Sequence, residues 1–418
     1  MTETNYIHTC NEGNEELLSF FKFLDRPSSR QKKNKRERQL DHRKYICGEK
    51  PRFHCEFSFV GVLREKMAGV AWPTNLAELL QWFEDDQAII NDETYDMADP
   101  PLYIRNNVFN VSQAVPAADL LYPFEFENSF ANGGFWSHWA RDNLHVPFIC
   151  VAVYLIVVFG LKLAMSNRDR FAVRVPWILW NFLLSGFSLW GACRMVPHLI
   201  LLIQTRGLYT SYCGRSAETY GWGEASGLWT VFFIFSKVPE LLDTIFIVLM
   251  KADLRCLQWY HHITVLLYTW HSYATRSGAG VWFISMNYTV HAVMYLYFAL
   301  MLLSSEWKSR AYRIKDDLAK QEAAVTSATE FRASLSFFAP LITVMQISQM
   351  VVGIVVIYWI VRDSSAFAGT QQCYVRRTSV VAGGVMYFSY FVLFVVFAIQ
   401  KYCCKTRSKS TEEHTKQA

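Results

Sequence analysis

Gln258-Trp259-Tyr260-His261-His262-Ile263-Thr264-Val265 opens an apolar stretch that runs to about Tyr273. Adjacent histidines are uncommon in such a setting, because an imidazole removed from water needs a partner inside the protein. On a helix Gln258, His261 and His262 project from one side, since residues three and four apart share a face. The stretch therefore reads as a helix in hydrocarbon that turns a polar stripe towards a protein interior. Other apolar stretches carry matching groups: Lys237, Glu240 and Asp243 in KVPELLDT, Asn287 and His291 in NYTVH, Gln346 and Gln349 in TVMQISQ. Each set recurs at helical spacing, so each is placed to face a shared interior.

The composition around these stretches supports a membrane reading. Of 418 residues, 52% are hydrophobic and only 18% charged, and the apolar residues come in long runs rather than in the scattered pattern of soluble cores. A helix needs about 20 apolar residues to cross the hydrocarbon core. Runs of that kind occupy 146–165, 176–204, 227–250, 257–275, 280–303, 335–361 and 380–402. The expected fold is an all-α membrane protein with seven transmembrane helices. Ahead of them, 124–142 holds Phe124, Phe126, Phe130, Phe135 and Trp136 and reads as an amphipathic segment in the interface.

Three parts follow: a polar N-terminal extension (1–120), a membrane domain (121–405) and a polar tail (406–418). Within the extension 76–83 and 104–111 carry some apolar pattern, compatible with a small folded piece or with disorder. Its basic run RQKKNKRERQLDHRK is a solvated or lipid-facing segment rather than a nucleic-acid arm, because the net charge is only +5 and the basic residues gather outside the apolar runs. The ten cysteines form no CxxC pair and no zinc-like spacing.

Basic residues fix the expected orientation. Arg168, Arg170, Arg174, Lys251, Arg255, Lys308, Arg310, Arg313, Lys315, Lys320, Arg332, Lys401 and Lys405 fall on one side of seven spans, and the other side's loops hold few. The positive-inside rule then places the C-terminus in the cytosol and the extension in the lumen. The basic run of the extension goes against that rule, but long segments translocate largely regardless of charge. Asn110-Val111-Ser112 is a glycosylation sequon, usable on the lumenal side. Cys213 and Cys373 lie in lumenal loops, where oxidation is permitted.

KVPELLDT, LQWYHHITV, MNYTVHAVMYLY and TVMQISQ together resemble the four signature motifs of the very-long-chain fatty acid elongases, the ELO family, in the family's order and at about its spacing. The resemblance covers about residue 124 to the C-terminus. It implies an endoplasmic-reticulum multi-pass enzyme in which six of seven helices close as a barrel around a narrow acyl tunnel. It also implies that such an enzyme condenses a long-chain acyl-CoA with malonyl-CoA to 3-oxoacyl-CoA, CoA and carbon dioxide. His261 would attack the thioester, and His291 and Asn287 would stabilise or protonate the developing charge. No cofactor is implied beyond the two CoA substrates. The implied partners are membrane lipids and the 3-ketoacyl-CoA reductase, dehydratase and enoyl-CoA reductase of the cycle. A disulfide between Cys213 and Cys373 is implied likewise, with unpaired loop cysteines as the alternative. TVLLYTWHSY and MNYTVHAVMYLYFAL are most similar to the branch acting on saturated and monounsaturated chains near palmitate.

The residues themselves bear out parts of this chemistry. A neutral imidazole is a competent nucleophile towards a thioester when a neighbour keeps the right nitrogen free. His262 is suited to orienting its neighbours, while Glu240 and Asp243, balanced by Lys237, are suited to holding the histidines in their productive tautomers. Gln346 and Gln349 would hydrogen-bond in the cavity, and Tyr295 and Tyr297 line the channel or simply pack. His198 and His271 lie outside the motifs and read as structural. Lys251, Arg255, Lys308 and Arg310 are candidate contacts for CoA phosphates, against the alternative of ordinary loop charge. The family's box usually begins with His where Gln258 stands. Glutamine bonds but does not titrate, so this position loses any acid–base role. A membrane di-iron desaturase or hydroxylase is the alternative. It needs many more histidines than His198, His261, His262, His271 and His291, and no metal is expected.

Overall fold

A computed structural model describes residues 124–128, 133–221, 224–314, 317–363 and 373–403. The extension with Asn110, Phe130, Lys315 and the tail lie outside the described residues. Among the described residues every regular element is helical: α1 (Glu125–Asn128), α2 (Gly133–Asp142), α3 (His145–Ala164), α4 (Arg174–Cys213), α5 (Ser216–Thr219), α6 (Glu224–Ser236), a 3-10 turn (Pro239–Leu241), α7 (Leu242–Leu249), α8 (Cys256–Ala274), α9 (Gly280–Ala311), α10 (Leu318–Ser336), α11 (Ala339–Asp363), α12 (Arg377–Ala398) and a π turn (Ile399–Cys403). These helices belong to one compact unit; the loop Ser166–Arg168 is part of a different one.

Among the described residues five helical segments are long and apolar enough to cross a membrane: α3, α4, α9, α10 with α11, and α12 extended to Tyr402. The other two expected spans are the ones that carry the site. The run 227–250 is not one helix, because Pro239 removes a backbone donor and the chain passes through a 3-10 turn between α6 and α7. The freed amides bond three residues back, Lys237 to Ile234 and Leu241 to Val238. Such a break is tolerated in hydrocarbon only where protein surrounds it. Helix α8 is long enough, but Gln258, His261, His262 and His271 lower its apolar character. The stretch between the expected spans 280–303 and 335–361 holds a further helix, α10, packed along α9. Asp317 caps it by accepting from the Lys320 amide, and Arg332 bonds the Ser305 hydroxyl at 2.6 Å.

Helix packing places the site. The longest contact is between α4 and α9, and α8 packs on α2, α3, α6 and α12. The α4–α9 approach depends on Gly191, whose added Cβ would lie 2.6 Å from the Tyr288 ring. Tyr288 is 2% exposed and donates to the Trp229 carbonyl, so it has little room to yield. On the outer surface α3 exposes Ile156 and Leu163, 73% and 77%, a face suited to lipid.

Two clasps hold the half of the structure that carries the disulfide. The interfacial segment forms α1 and α2. Fully buried Glu127 accepts from Arg194 at 3.0 and 2.8 Å and from the Trp229 indole at 2.7 Å, while Phe124 and Phe126 stay exposed beside Trp190. Burial opposes charge on Glu127, but these donors and the Phe124 amide outweigh it and hold its carboxyl below the ordinary carboxylate range. Helix α2 is pinned on α8 by Trp270 donating to the Ala140 carbonyl and Tyr273 to that of Gly133. At the junction of α4 with the segment before α12, Cys213 and Cys373 form a disulfide, flanked by the Tyr374 amide donating to the Cys213 carbonyl at 3.0 Å.

Candidate active site

The break between α6 and α7 puts Lys237 and Glu240 against α9. Both are buried, 2% and 3% exposed, and the Lys237 ammonium donates to Glu240 Oε1 at 2.8 Å and to Asn287 Oδ1 at 3.2 Å. It also lies 4.1 Å from the Phe233 ring centre. Ser236 donates to the same Glu240 oxygen. Because Lys237 has no acceptor to offer, its contact settles which end of the Asn287 amide is oxygen. The Asn287 Nδ2 donor then faces His291 Nε2 at 3.1 Å. That nitrogen accepts, so His291 carries its proton on Nδ1. Glu240, Lys237, Asn287 and His291 thus form one directed chain that fixes a tautomer.

Helix α8 brings the histidine pair to this chain. The His261 ring centre lies 6.5 Å from that of His291 and 5.5 Å from that of His262. His262 and His291 are buried, whereas His261 is half-buried, so His261 is the ring turned to open space. Two buried polar atoms here have no hydrogen-bond partner among the described residues, Glu240 Oε2 and His262 Nδ1. Leaving such atoms unmet costs about 1–3 kcal/mol each, and a bound polar group would remove that cost.

The remaining candidates divide. Asp243 is buried, and its oxygens accept from the Trp180 indole and the Tyr295 hydroxyl, each at 2.7 Å. It meets the histidines only through Tyr295, whose ring stands edge-on to His291 at 5.3 Å. Gln346 donates to the Met294 sulfur at 3.2 Å, one turn from His291, and Gln349 is buried on the same helix. Gln258 is half-buried in the first turn of α8. Lys251, Arg255, Lys308 and Arg310 all stand at the end remote from the disulfide. There Arg310 is paired with Glu306 at 3.0 Å and the Arg255 guanidinium covers Phe397 at 5.0 Å. His198 bonds the Thr219 carbonyl and His271 the Thr378 hydroxyl, as structural residues would. Among the described residues no three His, Cys, Asp or Glu side chains converge as a metal site.

Trp180, Thr264 and Tyr390 were not singled out from the sequence. Tyr390 of α12 lies 5.0 Å from the His261 ring, closer than either histidine, and bonds the Thr264 hydroxyl. All three are ordinary members of apolar runs, so no local signal marks them.

Further along α8 from the histidines a narrow, partly open cleft lies between α6, α8 and α9. Phe233, Tyr268, Thr269, Tyr273, Phe283 and Ile284 form its walls, and Tyr220, Ser277 and Gly280 lie at its far end.

An all-helical multi-pass protein with a histidine pair, a third histidine and a charge-neutralised lysine–glutamate chain in one buried site is a membrane-embedded enzyme. The profile of the ELO: GNS1/SUR4 family matches residues 139–317 and 323–410, and the chain belongs to this family. It is 38% identical over 288 residues to very long chain fatty acid elongase 6 of Gallus gallus, covering 68% of this chain and 95% of the relative. To the proteins of the same name from Homo sapiens and Drosophila melanogaster it is 37% identical over 297 and 292 residues, covering 70% and 69% of this chain and 97% and 82% of theirs.

Proposed function

We propose that the protein is a fatty acid elongase that catalyses the condensing step, a 3-oxoacyl-CoA synthase. The observation that carries this reading is the partly buried His261 ring, free of any hydrogen bond among the described residues, set beside a histidine of fixed tautomer. In the first half-reaction an imidazole nitrogen of His261 bonds the acyl carbon, the carbon–sulfur bond breaks, and CoA leaves as the thiol with the imidazole proton. In the second, malonyl-CoA loses carbon dioxide and its enolate carbon takes the acyl group from His261. The imidazole then regains one proton from solution, which His291 is placed to relay. Splitting the condensation in two replaces one difficult encounter with two easier ones. Glu240 Oε2 and His262 Nδ1 are free to meet the polar groups of the substrates. Asp243 supports His291 through Tyr295.

The cleft further along α8 takes the acyl tail. From His261 to Tyr273 the helix advances about 18 Å, and at about 1.25 Å per carbon for extended C–C bonds of ~1.5 Å that depth suits roughly fourteen to sixteen carbons. This agrees with chains near palmitate, saturated or monounsaturated. CoA enters at the opposite end, where Lys251, Arg255, Lys308 and Arg310 offer charge to its phosphates. The same reading places that end and the C-terminus in the cytosol of an endoplasmic-reticulum membrane, with α6–α7 and α8 completing seven spans and six closing around the tunnel. The reductases and dehydratase of the cycle would consume the product. Family membership favours this condensation over the di-iron alternative.

Purified protein given acyl-CoA without malonyl-CoA should release CoA and carry an acyl group on His261, mapped by mass spectrometry, and His261→Ala should abolish condensation. An adduct on another residue, or condensation by the folded variant, would remove His261 as nucleophile.

A further inference from the structure

The His261 ring makes no hydrogen bond among the described residues, so something other than a donor or acceptor must hold it. This suits an attacking group, because a hydrogen bond to the reacting nitrogen would occupy the lone pair. The ring is instead bounded by other rings. Tyr390 is the nearest, at 5.0 Å between centres and 41° between planes. His262 at 5.5 Å stands almost perpendicular, and His291 lies at 6.5 Å.

Tyr390 is itself held tightly. It is 2% exposed, and its hydroxyl turns away from the site to the backbone of α8. There it donates to the Thr264 hydroxyl, which passes its own proton to the Tyr260 carbonyl at 2.7 Å, and it stands 3.2 Å from the carbonyl of His261. One side chain from α12 therefore touches both the ring of His261 and the turn of helix that bears it. A neighbouring contact, Tyr260 to Ser389 at 3.0 Å, ties the same two helices without touching the ring.

We propose that Tyr390 is the positioning residue for His261: its ring bounds the imidazole while leaving both nitrogens free, and its hydroxyl fixes the helical turn from which the imidazole projects. The inference rests on His261 being the nucleophile.

The test uses full-length protein in lipid nanodiscs with acyl-CoA alone. It follows CoA release and the His261 adduct in a single turnover, with steady-state kcat and KM measured separately. Tyr390→Leu removes the bounding ring and should slow acylation about 100-fold, the usual cost of a reacting group displaced by an ångström, with KM for acyl-CoA changed less than about threefold. Tyr390→Phe keeps the ring and should recover to within about tenfold of wild type, and Ser389→Ala should stay within about twofold. An acylation rate in Tyr390→Leu above about one third of wild type, a loss confined to KM, or equal slowing by Ser389→Ala would overturn the proposal. Should Tyr390→Leu fail to fold, Tyr390→Phe and Thr264→Val each remove one end of the same hydrogen bond. Their double variant should then be no slower than the worse single, and full additivity would overturn the proposal. Absence of any adduct on wild-type His261 strikes the nucleophile assignment instead, so the two failures are distinct.

Discussion

Replacing Lys237 with methionine should separate stability from catalysis. The substitution keeps the length of the side chain but leaves Glu240, 3% exposed, with the Ser236 hydroxyl as its remaining donor among the described residues. Breaking a buried ion pair from one side costs about 3–5 kcal/mol, because the surviving charge has lost both water and partner. At about 2–4 °C per kcal/mol, the melting temperature should fall by roughly 6–20 °C. Adding Glu240→Gln removes that charge and should return stability to within about 2 kcal/mol of wild type, since neutral replacements of a buried pair are often tolerated. Activity should not return with it. Without the ammonium on Asn287 Oδ1, the amide is free to turn and no longer dictates the His291 tautomer, a loss of about 100-fold in kcat for a disturbed proton donor. The assay pairs thermal unfolding in nanodiscs with product formation from acyl-CoA and malonyl-CoA. The reasoning fails if Lys237→Met melts within about 2 °C of wild type, if the double variant melts no higher than the single, or if it regains activity along with stability.

Gly280→Leu builds a side chain at the far end of the acyl cleft, where an added Cβ would already sit 3.5 Å from the Tyr220 ring. The longest chain accepted should shorten by about four carbons, the volume of the new side chain; unchanged product lengths by mass spectrometry would show that the tail does not reach Gly280. Cys373→Ser opens a disulfide that spans 160 residues, for which the chain-entropy argument gives a loss of about 5 kcal/mol. Its melting temperature should drop to that of reduced wild type, and a variant as stable as the oxidised protein would contradict the argument.

What the sequence made legible follows from how hydrocarbon treats polarity. Lys237, Glu240, Asp243, His261, His262, Asn287 and His291 stand out because each is costly in an apolar run, and all of them lie between packed helices. Their pairing was less legible. Asp243, at helical spacing from Glu240, was expected to hold the histidines; its oxygens accept from Trp180 and Tyr295, so it reaches His291 only through the Tyr295 ring, an indirect route that spacing does not show. Helix α10 escaped because its alanines, threonines and serines have no apolar stripe; its partner is the long extension of α9 beyond the expected span. Tyr390 escaped for the opposite reason, being one aromatic among many in α12.

The contact between α8 and α12 also bears on how the enzyme is born. Tyr390 follows His261 by 129 residues, and at about 5–20 residues per second a ribosome needs roughly 6–26 s to cover them. During that interval the histidine has been made without its proposed brace, and a chain cut short before α12 would hold every signature motif and should acylate at least about 100-fold more slowly. With Tyr390 as the positioning residue we propose, full competence to elongate waits for α12.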